Sequence, residues 1–340
     1  MSPRPATLVL LLLAACGADN ASTAGPTANP TPSTPATAPS AESYELHEWG
    51  LLTVSASGTQ VTAGPMRQSD AMIVVEKPVI YLHTSSALDV AIAVHPGAGY
   101  NVAEHYPPLG NATAALRWSV ATTGAACTAR HRYPDTCGSA GAPCEVPELP
   151  NYETSDASCL RVGPHTLPLL FYRLDRDTPA SLPVAIEQAG DSVRARRAPG
   201  HGRLGMAWRV TARGGEVRAI QVSVGEAAAD IPEATQSVEV ASMGLDAALQ
   251  ASGLSTEERN AFARAWSTDL FGEGITLRGG AVERTVEEVV VEEDMPDSVP
   301  TIADVLLYFL PAADVDSVAR ISATPAPTRT VRSFLVRQVL

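Results

Sequence analysis

The side chains best suited to acid–base or metal chemistry are His47 and Glu48, adjacent in "YELHEWGLLTV" (44–54), and three later histidines, His83, His95 and His105. A His-Glu pair opens the zinc pattern H-E-x-x-H, in which two histidines share one helix face and the glutamate acts as base. Position 51, where the second histidine belongs, is leucine. The segment instead alternates like a strand, which puts His47 with Glu45, Trp49 and Leu51 and sends Glu48 to the opposite face. Only a bulge at Trp49-Gly50 would bring the pair to one side. His47 and Glu48 are therefore candidates, not a catalytic dyad. His83, His95 and His105 fall in or beside consecutive strand-like runs and are candidate ligands of a three-histidine metal site. No i, i+2 or i, i+4 histidine spacing supports such a site, so partly buried or surface histidines are the preferred reading.

Other signatures fail. Gly200-His201-Gly202-Arg203-Leu204-Gly205 fits G-x-G-x-x-G, but the residues that follow, "MAWRVTAR", alternate as a strand where a dinucleotide fingerprint needs a helix. There is no G-x-S-x-G elbow, and Val74 stands three residues before Lys77, which removes S-x-x-K. No cofactor and no dinucleotide partner is expected. The formal charge of −13, with one lysine in 340 residues, also argues against nucleic acid, whose phosphates need clustered cations.

The elements that must position these residues begin with an export pattern. Residues 1–15 carry Arg4, an apolar run Leu8–Leu13 and two alanines before Cys16, and the run is too short to span a bilayer as a helix. Leu13-Ala14-Ala15-Cys16 resembles the lipobox of bacterial lipoproteins, which implies a lipid-modified Cys16 holding the chain to a bilayer. Gly17, in place of an inner-membrane retention aspartate, points to the outer membrane of a Gram-negative envelope. Residues 16–42 then read as a disordered Ala/Thr/Ser/Pro tether. Cys127, Cys137, Cys144 and Cys159 remain, and in an oxidising compartment they read as two disulfides of unknown pairing. A zinc site including His131 is the rival, but gaps of nine, six and fourteen residues lack paired C-x2-4-C spacing.

Residues 43–340 read as one β-rich folded domain. Strand candidates are 44–54, 78–84, 88–95, 112–121, 167–174, 204–213 and 216–224, the last two joined as a hairpin at Gly214-Gly215, with 306–311 and 331–340 closing the chain. A helical hairpin is expected over about 244–271: Leu245–Ala251 stopped by Gly253, then Ser255 and Glu258 as a capping box with Phe262, Trp266 and Leu270 facing the core. Residues 275–302 form an acidic insertion; within it 281–297 reads as a solvated, charge-flanked strand edge rather than a calcium loop, since D-x-[DN]-x-[DN]-G is absent.

Taken together, His47-Glu48-Trp49-Gly50-Leu51-Leu52-Thr53, "EKPVIYLHT" (76–84), "HYPP" (105–108), "TSDASCLRVG" (154–163), "LFYR" (170–173) and "SATPAPTRTVRSFLVRQVL" (322–340) are familiar. The chain resembles a group of uncharacterised secreted proteins and lipoproteins of Gram-negative bacteria whose domain opens with His-Glu-Trp-Gly-Thr-Phe-Thr. That resemblance implies a shared fold and an exported location, and it brings no reaction. The expected fold class is mainly β (α+β), a β-sandwich-like domain with a small helical hairpin and a disulfide-bonded loop. The expected function is a cell-envelope binding or interaction module of unknown ligand, with less weight on catalysis. The alternative is an envelope hydrolase or metal-dependent enzyme built on His47, His83, His95 and His105.

Overall fold

The computed structural model describes residues 43–55, 72–109, 115–128, 146–176, 181–189, 192–213, 216–272, 275–278, 280–284 and 304–340. Cys16, the tether, Cys137, Cys144, His131, the Gly214-Gly215 turn and most of the acidic insertion lie outside them. In chain order the first strands are β1 (Tyr44–Ser55), β2 (Met72–Thr84), β3 (Ala87–Pro96), β4 (Tyr100–Tyr106), β5 (Leu116–Ala126), β6 (Ser158–Val162), β7 (His165–Leu167) and β8 (Leu170–Arg176). Next come β9 (Val184–Ala189), β10 (Ser192–Arg197), β11 (Ala207–Arg213), β12 (Glu216–Val222), β13 (Ala229–Ile231) and β14 (Gln236–Ser237). Helices α1 (Val238–Ser252) and α2 (Thr256–Phe271) follow, then β15 (Ile275–Arg278), β16 (Ala281–Arg284), β17 (Val305–Phe309), α3 (Ala312–Val318), β18 (Ala319–Thr324) and β19 (Arg329–Val339).

A nine-stranded sheet, β14-β12-β11-β17-β19-β1-β2-β8-β4, forms the middle layer, and a five-stranded sheet, β18-β3-β5-β6-β7, forms a second. The first and last long strands, β1 and β19, run side by side in parallel at the centre, Glu45 opposite Arg329 through Val54 opposite Gln338. Every other pairing in that sheet is antiparallel. Alternation along β1 then divides the core. Tyr44, Leu46, Leu52 and Val54 enter an apolar cluster with Ile92, Val94 and Trp118 of the five-stranded sheet. Trp49 and Leu51 enter another with Phe262, Trp266 and Leu270 of α2 and Leu245 and Leu249 of α1. The fold is thus β-rich α+β, with sheet packed on one face and helices on the other, because each face of a sheet needs an apolar cover.

Most of the expected elements are present, with shifted ends. The helical hairpin begins at Val238 instead of 244, because Val238 and Ala241 extend the buried stripe of Leu245 and Leu249 about two turns backward. Gly244 sits inside that helix because a Cβ there would lie 2.8 Å from the Trp208 ring. Ser255 caps α2 as expected, accepting from the Glu258 N–H while the Glu258 carboxylate accepts from the Ser255 N–H. The acidic stretch supplies β16, which pairs with β15. The runs 204–213 and 216–224 contain β11 and β12, an antiparallel pair with Arg213 opposite Glu216.

The bulge raised by Trp49-Gly50 exists, but on the neighbouring strand. Trp49 pairs with Val79 and Leu51 with Glu76, so two residues of β2, Lys77 and Pro78, oppose Gly50 alone. A Cβ at Gly50 would lie 3.1 Å from Pro78, which accounts for glycine there. β1 itself keeps its alternation, and His47 and Glu48 stay on opposite faces.

Glu48 shows the consequence. It is fully buried on the sandwich side, where it accepts from the Tyr172 hydroxyl (2.6 Å) and from Arg332 Nε of the adjacent strand β19. Arg332 in turn donates to the Ala319 carbonyl (2.7 Å) and pairs with Asp316. Glu48 is therefore withdrawn as a catalytic candidate: its oxygens are committed to a buried ion pair that ties the N-terminal strand to the C-terminal one. Glu48→Ala strands the Arg332 charge in the core and is expected to cost about 3–5 kcal/mol in denaturant unfolding, whereas Glu216→Ala, which loses an exposed pair to Arg218, should cost less than about 1 kcal/mol.

Candidate functional site

His47, on the helix-facing side of β1, and His83, at the end of β2, are brought together across the β1–β2 ladder, their ring centroids 4.5 Å apart. The third member comes from α2. The Glu258 carboxylate accepts from His47 Nδ1 at 2.9 and 3.0 Å and from His83 Nε2 at 3.1 Å. The helix delivers it there because Glu258 is the third residue after the Ser255 cap, where the capping box turns its side chain back toward the helix start. A carboxylate with no exposed surface would be costly if unpaired. Here it receives both imidazoles and the Ser255 N–H (2.8 Å).

Each imidazole has a further partner. His47 Nε2 meets Glu45 Oε2 at 3.1 Å, and Glu45 is held from the solvent side by Arg329. Both ring nitrogens of His47 therefore face carboxylate oxygens, an arrangement satisfied by two protons or by one proton and a cation. His83 also hydrogen-bonds to the Asp156 backbone. The loop carrying Asp156 is fixed beside it: Ser158 Oγ accepts from the Thr84 N–H (3.1 Å) and donates to the Thr84 carbonyl (3.2 Å). The Cys127 N–H donates to the Ala157 carbonyl (2.8 Å), and a Cys127–Cys159 disulfide closes the loop around that point. Residues 156–158, next to the disulfide-bonded Cys159, thus hold one wall of the site.

Electrostatics follow from this packing. Burial alone would raise the Glu258 pKa, but the hydrogen bonds and charges of His47 and His83 outweigh it and hold the carboxyl at about 2. Burial likewise works to lower the His83 pKa and is outweighed by Glu258 and Asp156, so the ring is a stronger base than a free imidazole. Glu45 is drawn below its ordinary value, first by its hydrogen bond to His47. Beneath the cluster lies an aromatic floor: Trp49 stacks on Tyr81 (6.0 Å) and Tyr152 (5.6 Å) and meets Phe262 at 5.3 Å. His47 is almost fully buried, and His83, one-fifth exposed at its side chain, is the more open of the two imidazoles.

Chemically, two imidazole nitrogens and a carboxylate oxygen within 4.8 Å of one another are a ligand set for a divalent metal. The candidate three-histidine site, already disfavoured by the histidine spacing, is not formed. Of His83, His95 and His105 only His83 belongs. His95 sits in β3 of the other sheet, opposite Arg320, and His105 lies on the edge strand β4, where its Nε2 accepts from the Leu109 N–H at 3.0 Å. Burial lowers the His105 pKa, which suits that neutral, accepting role. His47 is joined by His83 and by Glu258, which sequence reading had assigned to helix capping alone; the N3 carboxylate was visible, its second task was not.

Gly200–Gly205 precedes strand β11 and opens no helix, consistent with the rejected dinucleotide fingerprint. No family model matches the chain, and no curated protein matches it.

Linkage fixes the pH behaviour of the metal-free cluster. Glu258, lowered from 4.5 to about 2, contributes stability that is present above 4.5 and lost as pH falls through about 2. His83, raised from 6.5, contributes stability that is full below 6.5 and lost as pH rises through its folded value. With chelator present, the stability difference between the parent protein and His83→Gln should be largest between pH 4.5 and 6.5 and shrink as pH rises above 6.5 through the folded value of His83, as read from urea midpoints at each pH.

Proposed function

We propose that the protein is a cell-envelope lipoprotein whose folded domain binds one divalent transition metal through His47 Nδ1, His83 Nε2 and a Glu258 oxygen. The observation that carries the reading is the convergence of these three atoms from two strands and a helix, each ligand oriented by a further partner. Metal-bound histidines characteristically give their second ring nitrogen to a carboxylate or a backbone carbonyl, and Glu45 and the Asp156 backbone are so placed. Two nitrogens and one oxygen suit zinc or a neighbouring first-row metal better than calcium or magnesium, which take oxygen. Three protein ligands leave a coordination position for water or a bound molecule.

The envelope assignment rests on other support. The pattern of residues 1–16 favours export and lipid attachment at Cys16, the Ala/Thr/Ser/Pro stretch favours a tether, and the disulfide suits an oxidising compartment. The resemblance to secreted proteins and lipoproteins opening with His-Glu-Trp-Gly-Thr-Phe-Thr agrees with export, and Gly17 after the lipobox favours the outer membrane. His47 and Trp49 of that opening acquire roles here, one as ligand and one as the floor beneath it.

The test is calorimetric titration of chelator-stripped protein with zinc. One saturable equivalent is expected, with proton release because the imidazoles must give up protons to the metal, and with affinity rising from pH 6 to 8. His83→Ala should lower affinity at least tenfold, and His95→Ala and His105→Ala should leave it unchanged. Absence of saturable binding, or equal affinity in His83→Ala, would reduce the cluster to a clasp between helix and sheet.

A further inference from the structure

A second constellation lies away from the metal cluster, among loops that the sequence motifs left unassigned. Ser181, just before β9, places Oγ 2.7 Å from Nε2 of His201. His201 places Nδ1 3.1 Å from Oδ1 of Asp314, in the first turn of α3. Serine hydroxyl, imidazole and carboxylate thus stand in the order and at the distances of a nucleophile, its base and the base's orienting group.

The surroundings fix the base. The Gly202 N–H donates to the other Asp314 oxygen, Oδ2, at 3.1 Å, so one loop grips both oxygens of the carboxylate. Arg197 Nη1 donates to the His201 carbonyl at 2.5 Å. A Cβ at Gly202 would lie 2.6 Å from Pro311 Cβ, so glycine is what lets the loop seat on α3. The His201 and Asp314 side chains are each 13% exposed, while Ser181 is open to solvent, as a nucleophile awaiting an external substrate must be. The second and third residues of the G-x-G-x-x-G stretch are thereby accounted for: they carry the imidazole and bind its carboxylate.

We propose that Ser181, His201 and Asp314 form an acyl-transfer centre for carboxylic esters at the protein surface. Ser181 Oγ attacks the ester carbonyl carbon as its proton passes to His201 Nε2. The C–O bond to the alcohol breaks, and the same proton leaves with the alcohol. Water then attacks the acyl-serine, giving one proton to His201, which returns it to Oγ as the carboxylic acid departs. Asp314 accepts from Nδ1–H throughout and holds the tautomer, a positioning role. No oxidant or reductant enters.

The experiment treats the full-length protein with an alkyl fluorophosphonate, with and without chelator. In this probe the Oγ–P bond forms, fluoride leaves, and the proton goes to His201. One phosphonyl adduct on the Ser181 peptide is expected by mass spectrometry, absent in Ser181→Ala. It should form at least 100-fold more slowly in His201→Gln, in line with the 10²–10⁴ that a positioned general base supplies. Asp314→Asn should slow labelling and move its pH profile, while leaving the thermal midpoint near that of the parent. Hydrolysis of p-nitrophenyl acetate should follow the same order. Labelling unaffected by chelator keeps this centre separate from the metal site. No adduct at Ser181, or equal labelling of the parent and His201→Gln, would overturn the proposal.

Discussion

One buried carboxylate governs how the two halves of the molecule meet. Glu258 sits at the start of α2 with no exposed surface, and it is tolerable there only because His47 and His83 project from the sheet to meet it. Removing either histidine takes one imidazole partner from a buried charge, and removing the glutamate leaves two tilted imidazoles without the carboxylate they share. The same residue closes the capping box, so helix initiation, helix docking and the geometry of the cluster are one constraint. The aromatic floor of Trp49, Tyr152 and Phe262 then excludes water from beneath, which strengthens each of these contacts.

The strand β1 carries this arrangement and its mirror. On one face it offers His47 to Glu258, and on the other it offers Glu48 to Arg332 and Tyr172. Adjacent residues thus secure the helical layer and the C-terminal strand respectively, and the parallel pairing of β1 with β19 keeps both in register. The extra residue beside Gly50 is accommodated in β2, so the alternation of β1 survives unbroken. A slip of one residue would exchange the two faces and bury every one of these charges against the wrong partner.

Strand positions were legible because alternation and Gly/Pro punctuation are local, and α2 was legible because a capping box and an apolar stripe at i, i+4 are local too. The separation of His47 from Glu48 followed from the same two-residue period. What escaped were partnerships set by topology. Glu258 lies 211 residues from His47 and 175 from His83, and its capping role was sufficient explanation on its own. His95 and His105 neighbour His83 along the chain, but β3 carries His95 into the five-stranded sheet, and β4, in the same sheet as β2, is separated from it by β8. Ser181 and Asp314 had no motif at all; only His201 stood in a recognisable stretch, and that stretch suggested another chemistry.

The central claim is that His47, His83 and Glu258 are a metal centre and not merely an ionic clasp. X-ray absorption at the zinc edge of protein loaded with one equivalent tests it most directly. The arrangement predicts two imidazole nitrogens at about 2.0–2.1 Å and oxygen in the remaining first shell, with one imidazole lost in His83→Ala. A spectrum with sulfur ligands, or with no imidazole scattering, would contradict it.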